Sequence, residues 1–149
     1  MSSNPKKGTY CLIIHVPNNS NISIGKLDKI KFKKGYYVYV GSALNSLNTR
    51  IKRHLSENKK IHWHVDYLLN SVNSKIVDVI YVESSKKWEC MVAQEQSEIG
   101  NGVRGFGCSD CKCDSHLFYF KQPEKALKAC IETFKKFNLY PKDLYDLKL

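Results

Sequence analysis

The stretch Gly35-Tyr36-Tyr37-Val38-Tyr39-Val40-Gly41-Ser42-Ala43 decides the reading of this chain. Aromatic and β-branched residues fit the pleated, half-buried surface of a sheet, so residues 36–40 are expected to form a strand that ends at Gly41-Ser42. The turn signal Lys33-Lys34-Gly35 leads into it. A similar element, Gly8-Thr9-Tyr10, opens an apolar run over residues 9–16 that reads as a buried strand. Adjacent strands would bring Tyr10 and Tyr39 to one sheet face. Residues 17–35 must then loop out between them. The run Pro17-Asn18-Asn19-Ser20-Asn21 is a turn, and Ile22, Ile24, Leu27, Ile30 and Phe32 suggest a second strand or a hairpin interrupted at Gly25.

Downstream, helical and extended periods alternate. Leu47, Ile51 and Leu55 recur at i, i+4, i+8, a core-facing helical stripe, with Arg50 and His54 on the neighbouring stripe. Residues 63–72 read as a second helix with Val65, Leu68, Leu69 and Val72 inward. Ile76, Val77, Val79, Ile80 and Val82 form a near-continuous apolar strand expected at the centre of the sheet. Trp88, Met91, Val92, Glu95 and Ile99 give one stripe of a third helix, which carries Glu89. Residues 101–116 are rich in glycine, cysteine and histidine and read as irregular, and residues 117–120 as a short last strand. Pro123 and Glu124 suit a helix start, and Leu127, Cys130, Ile131 and Phe134 mark a C-terminal helix over residues 123–137. The tail has no clear period.

A chain of 149 residues with 42% hydrophobic content suits one folded domain, taken here as residues 8–149. Lys and Arg number 24 against 14 Asp and Glu, a surplus of ten, and the isoelectric point is near 9.3. This balance favours a polyanionic partner; a solvated basic face is the plain alternative. No apolar run reaches the ~20 residues of a membrane span, and no signal-peptide pattern opens the chain. A cytoplasmic protein without membrane contact is expected. Six cysteines in a reducing compartment then call for core packing or metal binding. Cys11 and Cys130 read as core.

Phosphodiester cleavage needs a group that deprotonates water, cations to match charge growing on phosphoryl oxygens, and a way to stabilise the leaving oxygen. Tyr10 and Tyr39 meet the first need only if a neighbour lowers a phenol pKa that is ordinarily about 10. Arg50 offers a bidentate fork for phosphate. Glu89 offers a hard oxygen ligand for Mg²⁺ or Mn²⁺. His54 lies one turn beyond Arg50. Lys52, Arg53, Lys59 and Lys60 read as a diffuse patch for the nucleic-acid backbone.

In order and type these elements resemble the GIY-YIG nuclease superfamily. Gly8-Thr9-Tyr10 looks like its GIY element, Tyr39-Val40-Gly41 like its YIG element, and Arg50-x-x-x-His54 like its arginine helix, with Glu89 on the expected later helix. Gly35 to Ala43, Trp63-His64-Val65-Asp66-Tyr67-Leu68 and Gly105-Phe106-Gly107-x-Ser109-Asp110-Cys111-x-Cys113 resemble a small archaeal and bacterial branch, some of whose members are fused to endonuclease III-type glycosylases. The resemblance implies an α+β fold: a small mixed or antiparallel sheet flanked by helices, with the nuclease core at about 8–100. It implies metal-dependent hydrolysis of DNA in repair or recombination, with Tyr10, Tyr39, Arg50, His54 and Glu89 as site residues and one divalent ion on Glu89. It also suggests a repair glycosylase as partner. RNA as substrate stays open, as does a non-catalytic nucleic-acid-binding module on the same scaffold. The choice between Tyr10 and Tyr39 as the group that aids water is open too.

Two clusters fall outside that pattern. His62, His64 and Asp66 are better placed to support the active site through hydrogen bonds than to bind metal by themselves, because His64 and Asp66 cannot face one way on a helix. Trp63 reads as core. Cys108, Cys111, Cys113 and His116 are candidate ligands of a structural Zn²⁺, with Cys90 able to replace Cys108. Alternatively this loop is a reduced thiol cluster, or it lines the active site with Ser109 or Asp110 toward substrate.

Overall fold

The computed structural model describes residues 6–57, 60–71, 73–108 and 113–147. Its framework is the strand pair expected from the two tyrosine-glycine elements. Strand β1 (Gly8–Val16) runs antiparallel to β4 (Gly35–Ala43) in a nine-residue register that sets Tyr10 opposite Gly41 and Leu12 opposite Tyr39. The intervening residues do loop out: β2 (Ser20–Ser23) and β3 (Lys29–Phe32) pair in a separate small sheet, joined through a single 3₁₀ turn at Gly25–Leu27. Asp28, at φ 64° and ψ −157°, ends this turn in a strained positive-φ conformation that is ordinarily left to glycine.

The main sheet has the order β6-β7-β4-β1-β5-β8, and all of its described pairings are antiparallel. Here β5 is Lys75–Glu83, β6 Asn101–Gly102, β7 Leu117–Phe120 and β8 Lys142–Asp143. The centre of the sheet is thus β1 with β4. The β5 strand was expected there, but only Ile80 and Tyr81 pair outward with β8, and Val77 is exposed.

Five helices surround the sheet among the described residues: α1 (Leu47–Leu55), α2 (His64–Leu69), α3 (Glu89–Ser97), α4 (Pro123–Lys136) and α5 (Leu144–Leu147). Alternation along the strands divides the core in two. One face carries Tyr10, Leu12, Ile14, Tyr37 and Tyr39 under α1, α2 and the small sheet; the other carries Cys11, Ile13, Val38 and Val40 under α3 and α4. None of the described helices is long and apolar enough to cross a membrane.

Three helical stripes are rotated from expectation. In α1 the buried residues are Leu47, Ile51 and His54, while Leu55 is exposed. A histidine takes the core position because it has a buried partner, described below. In α3, Val92, Ala93 and Gln96 are buried while Met91 and Ile99 are exposed. Gln96 Nε2 donates to Ala129 O and Thr133 Oγ1 of α4, both at 2.9 Å, while Oε1 is buried without a hydrogen-bond partner among the described residues. Bonding both amide protons limits the cost of burial. In α4 the buried face is Ala126, Ala129, Cys130, Thr133 and Phe134, with Leu127 and Ile131 at its margin. Helix α2 starts at His64 and ends at Leu69, shorter than expected, and Val72 lies outside the described residues.

Two glycines are required by close approach. A Cβ on Gly8 would collide with the Val82 carbonyl of β5, and one on Gly41 would sit 2.6 Å from both Cζ and the hydroxyl oxygen of Tyr10. Gly41 is therefore the floor beneath the Tyr10 ring. Gly41→Ala should destabilise the protein by about 1–3 kcal/mol, the ordinary range for overpacking a core. Urea unfolding measures this, and an unchanged midpoint would contradict the packing described.

Candidate functional site

Three local features place the site at the Gly8–Ala43 end of the sheet. Gly41 leaves room for the Tyr10 phenol, whose oxygen lies 2.7 Å from His54 Nε2. Ser46 caps α1 by accepting from the Thr49 amide at 3.2 Å, which starts the helix so that Arg50 and His54 project toward the tyrosines. Thr9, fully buried, accepts from the Trp88 amide at 3.3 Å and so fixes the N-terminus of α3, where Glu89 is the first residue. The position beside Tyr10 in the first motif thus ties the later acid to the tyrosine strand.

Tyr10, Tyr39, Ser42, Arg50, Trp63 and Glu89 share the wall of a cavity of about 310 Å³, with Lys87, His62, His64 and Gly107 at its rim. Arg50 donates from Nη1 to the Ser42 carbonyl at 2.9 Å, and its guanidinium lies 4.4 Å from the Trp63 ring centroid. Arg53 lies at the same distance from that ring, so the indole is flanked by two cations. Arg53 is itself anchored: it donates to both Asp66 oxygens, at 3.1 and 3.0 Å, and to the Lys60 carbonyl at 2.7 Å. Asp66 also accepts from the His62 and Trp63 amides at 2.8 and 2.9 Å, capping α2. Asp66, Arg53, Trp63 and Arg50 therefore form a continuous chain of contacts that sets the attitude of Arg50.

The electrostatics are distinctive. Burial pushes the Tyr10 phenol far above its ordinary value of 10, more than the nearby Arg50 can offset. Burial does the same to Tyr39, reinforced by Tyr10 and Glu89. Both phenols are thus held in the neutral form in the resting protein. Arg50 alone does not bring either phenol below its ordinary value, the condition the sequence sets for a tyrosine acting as base. For Glu89, burial pushes the carboxyl up, but His116, the Ser42 hydroxyl and Lys87 outweigh it and hold it below its ordinary range. Its Oε2 lies 2.9 Å from His116 Nδ1, within ion-pair reach.

Glu89 and Ser42 fit a hydrated divalent ion. The carboxylate stays ionised, it faces a cavity large enough for water ligands, and Ser42 Oγ is buried without a hydrogen-bond partner of ordinary length among the described residues. A hard ion that keeps several waters needs few protein oxygens. The second ligand set is soft: one ligand atom each from Cys90, Cys113 and His116 lies within 4.8 Å of the others.

Residues 9–139 match the family described as a domain of unknown function, DUF123. The chain belongs to this family. No curated protein and no solved structure matches it.

In this DUF123 chain several expected site residues hold other posts. His54 is buried behind Tyr10 and does not line the cavity. Arg53 was read as a backbone-binding cation, but its fork is spent on Asp66 and Lys60. Lys52 and the Lys60 side chain are exposed, and Lys59 lies outside the described residues. His62 precedes α2 and so shares no helical face with Asp66. His64 Nδ1 accepts from the Gly107 amide at 2.8 Å, pinning the 105–107 turn, and burial lowers its pKa. Cys108 donates to the Phe106 carbonyl at 3.4 Å and is not in the soft cluster. Asp110 and Cys111 lie outside the described residues. Trp63, read as core, is half-buried between cations. Lys87 and Ser42 are additions: adjacency to Glu89 and to the Gly41 turn was the available signal.

The Asp66 side chain is fully buried. Burial raises its pKa, but Arg53 and the two amides outweigh this and hold it below 3.8. A depressed folded-state pKa stabilises the protein above the unfolded value, and that contribution fades as pH falls through the folded one. Asp66→Asn should cost about 2–4 kcal/mol at pH 7, less than a fully buried pair because Arg53 is partly exposed. The deficit should shrink below about pH 4. Denaturant unfolding at pH 7 and pH 3 checks this; an equal deficit at both would contradict the role given to the charge.

Proposed function

We propose that this protein is a metal-dependent endonuclease of GIY-YIG type that hydrolyses DNA phosphodiester bonds. The observation that carries the reading is the meeting of Tyr10, Tyr39, Arg50 and Glu89 on one cavity wall, since no element of the sequence by itself requires it. The net charge of +10 supports a polyanionic substrate.

In this reading Arg50 holds the scissile phosphate, with Trp63 and the Ser42 carbonyl fixing its fork. Glu89, with Ser42 beside it, would hold Mg²⁺ or Mn²⁺, which when bound supplies charge stabilisation at the phosphoryl and leaving oxygens. The neutral Tyr10 phenol acts as a relay. As water attacks phosphorus, the phenol oxygen accepts the water proton while its own proton passes to His54 Nε2, 2.7 Å away. The phenol therefore never needs to rest as phenolate, which its burial opposes. Tyr39 packs edge-on against His54, with ring centroids 6.2 Å apart, and orients the attacking water from the other side.

A module that holds DNA without cutting, stabilised by zinc at the thiol cluster, is the second reading, favoured by that cluster alone. Incubation with branched, nicked, abasic and single-stranded DNA and Mg²⁺ or Mn²⁺ separates the two, with RNA as a parallel substrate. Cleavage is expected, lowered at least about 100-fold by Arg50→Ala or Glu89→Gln, the range for loss of a transition-state charge contact. Binding without cutting, or equal cutting by both variants, would overturn the nuclease reading.

A further inference from the structure

The soft cluster is well separated in chemistry from the carboxylate of Glu89. Cys90 is the second residue of α3, Cys113 lies in the segment before β7, and His116 immediately precedes β7. Their ligand atoms lie within 4.8 Å of one another. Tetrahedral zinc with bonds of about 2.3 Å to sulfur and about 2.0–2.1 Å to nitrogen sets its ligand atoms roughly 3.5–3.8 Å apart. The three donors therefore need contract by only about 1 Å to meet an ion. Two thiolates and an imidazole select zinc over Mg²⁺ or Mn²⁺, which prefer oxygen.

The surroundings meet the other requirements of a metal site. His116 is held by its backbone on both sides: its amide donates to the Phe106 carbonyl at 2.8 Å, and its carbonyl accepts from Val40 of β4 at 2.9 Å. Its ring is buried, with Glu89 Oε2 2.9 Å from Nδ1, the carboxylate–histidine pairing that commonly supports a metal-bound imidazole. Access comes from a cleft of about 910 Å³ that Cys90 and Cys113 line, and Cys90 also borders the 310 Å³ cavity. The cluster thus forms a partition between the two.

We propose that Cys90, Cys113 and His116 bind one zinc ion, and that this ion ties the start of α3 and the segment before β7 together beside Glu89. The site is distinct from the divalent-ion site on Glu89. It pins the carboxylate through their common neighbour, His116. Sequence spacing offered five candidate ligands; the fold assembles three of them and leaves Cys108 outside.

Protein expressed with zinc, desalted and measured by inductively coupled plasma mass spectrometry should carry about one zinc per chain. Cys90→Ser and Cys113→Ser should each retain less than a fifth of that. Cys108→Ser and Glu89→Gln should retain it. Far-ultraviolet circular dichroism identifies any serine variant that has lost its fold. Cobalt substitution of the wild-type protein gives a second readout independent of every variant: thiolate-to-cobalt charge-transfer absorption with intense tetrahedral d–d bands is expected. A wild-type protein without zinc, a cobalt spectrum lacking the thiolate band, or loss of zinc in Glu89→Gln equal to that in Cys90→Ser would overturn the proposal. None of these readouts depends on DNA cleavage, so failure here is distinct from failure of the nuclease reading.

Discussion

The Tyr10 phenol, lodged over Gly41 and bonded to His54, is the contact on which the rest of the site depends. It fixes three things at once. It requires β1 and β4 to pair in one register, because a shift of one residue would turn Tyr10 to the opposite face. It requires glycine at position 41. It also requires α1 to bury a histidine where a leucine would ordinarily pack, and that sets Arg50, one turn earlier, in the cavity wall. The cost of burying two polar groups is met by bonding them to each other.

From that contact outward the site is built in supporting layers. Thr9 holds the start of α3 and brings Glu89 to the tyrosines. Asp66 and Arg53 steady Trp63, and Trp63 steadies Arg50. Local charge compensation explains how the chain keeps two carboxyls ionised, Asp66 buried and Glu89 half-buried: the desolvation penalty of each is outweighed by nearby donors and cations. For the phenols the Arg50 charge falls short of the desolvation cost, so they remain protonated, which is the starting state of the proposed relay.

The fold was largely legible from residue periods. The paired strands, the looping out of residues 17–35 and the C-terminal helix all follow from β-branched runs, turn residues and a proline at a helix start. What escaped was governed by partners distant in sequence. His54 and Gln96 look like surface residues on a helical wheel, but His54 bonds to Tyr10 and the Gln96 amide nitrogen bonds to α4 in the core. Arg53 looked like a phosphate contact and instead serves Asp66. β8 and α5 carry too few residues to show a period, and β5 lost the central place because apolar content does not reveal which neighbour a strand takes. Among the soft ligands, spacing favoured the tight 108–116 run, whereas Cys90 arrives from a helix and completes a set that only the fold brings together.

The central claim is that the two motif tyrosines are buried and neutral, the state from which the proposed relay to His54 starts. Spectrophotometric titration of phenolate absorbance in the metal-free protein, read as the difference between wild type and Tyr10→Phe and between wild type and Tyr39→Phe, tests it directly. The account predicts that neither tyrosine contributes phenolate absorbance below pH 10, where an ordinary phenol is half ionised. A phenolate assigned to either residue near neutral pH would contradict it.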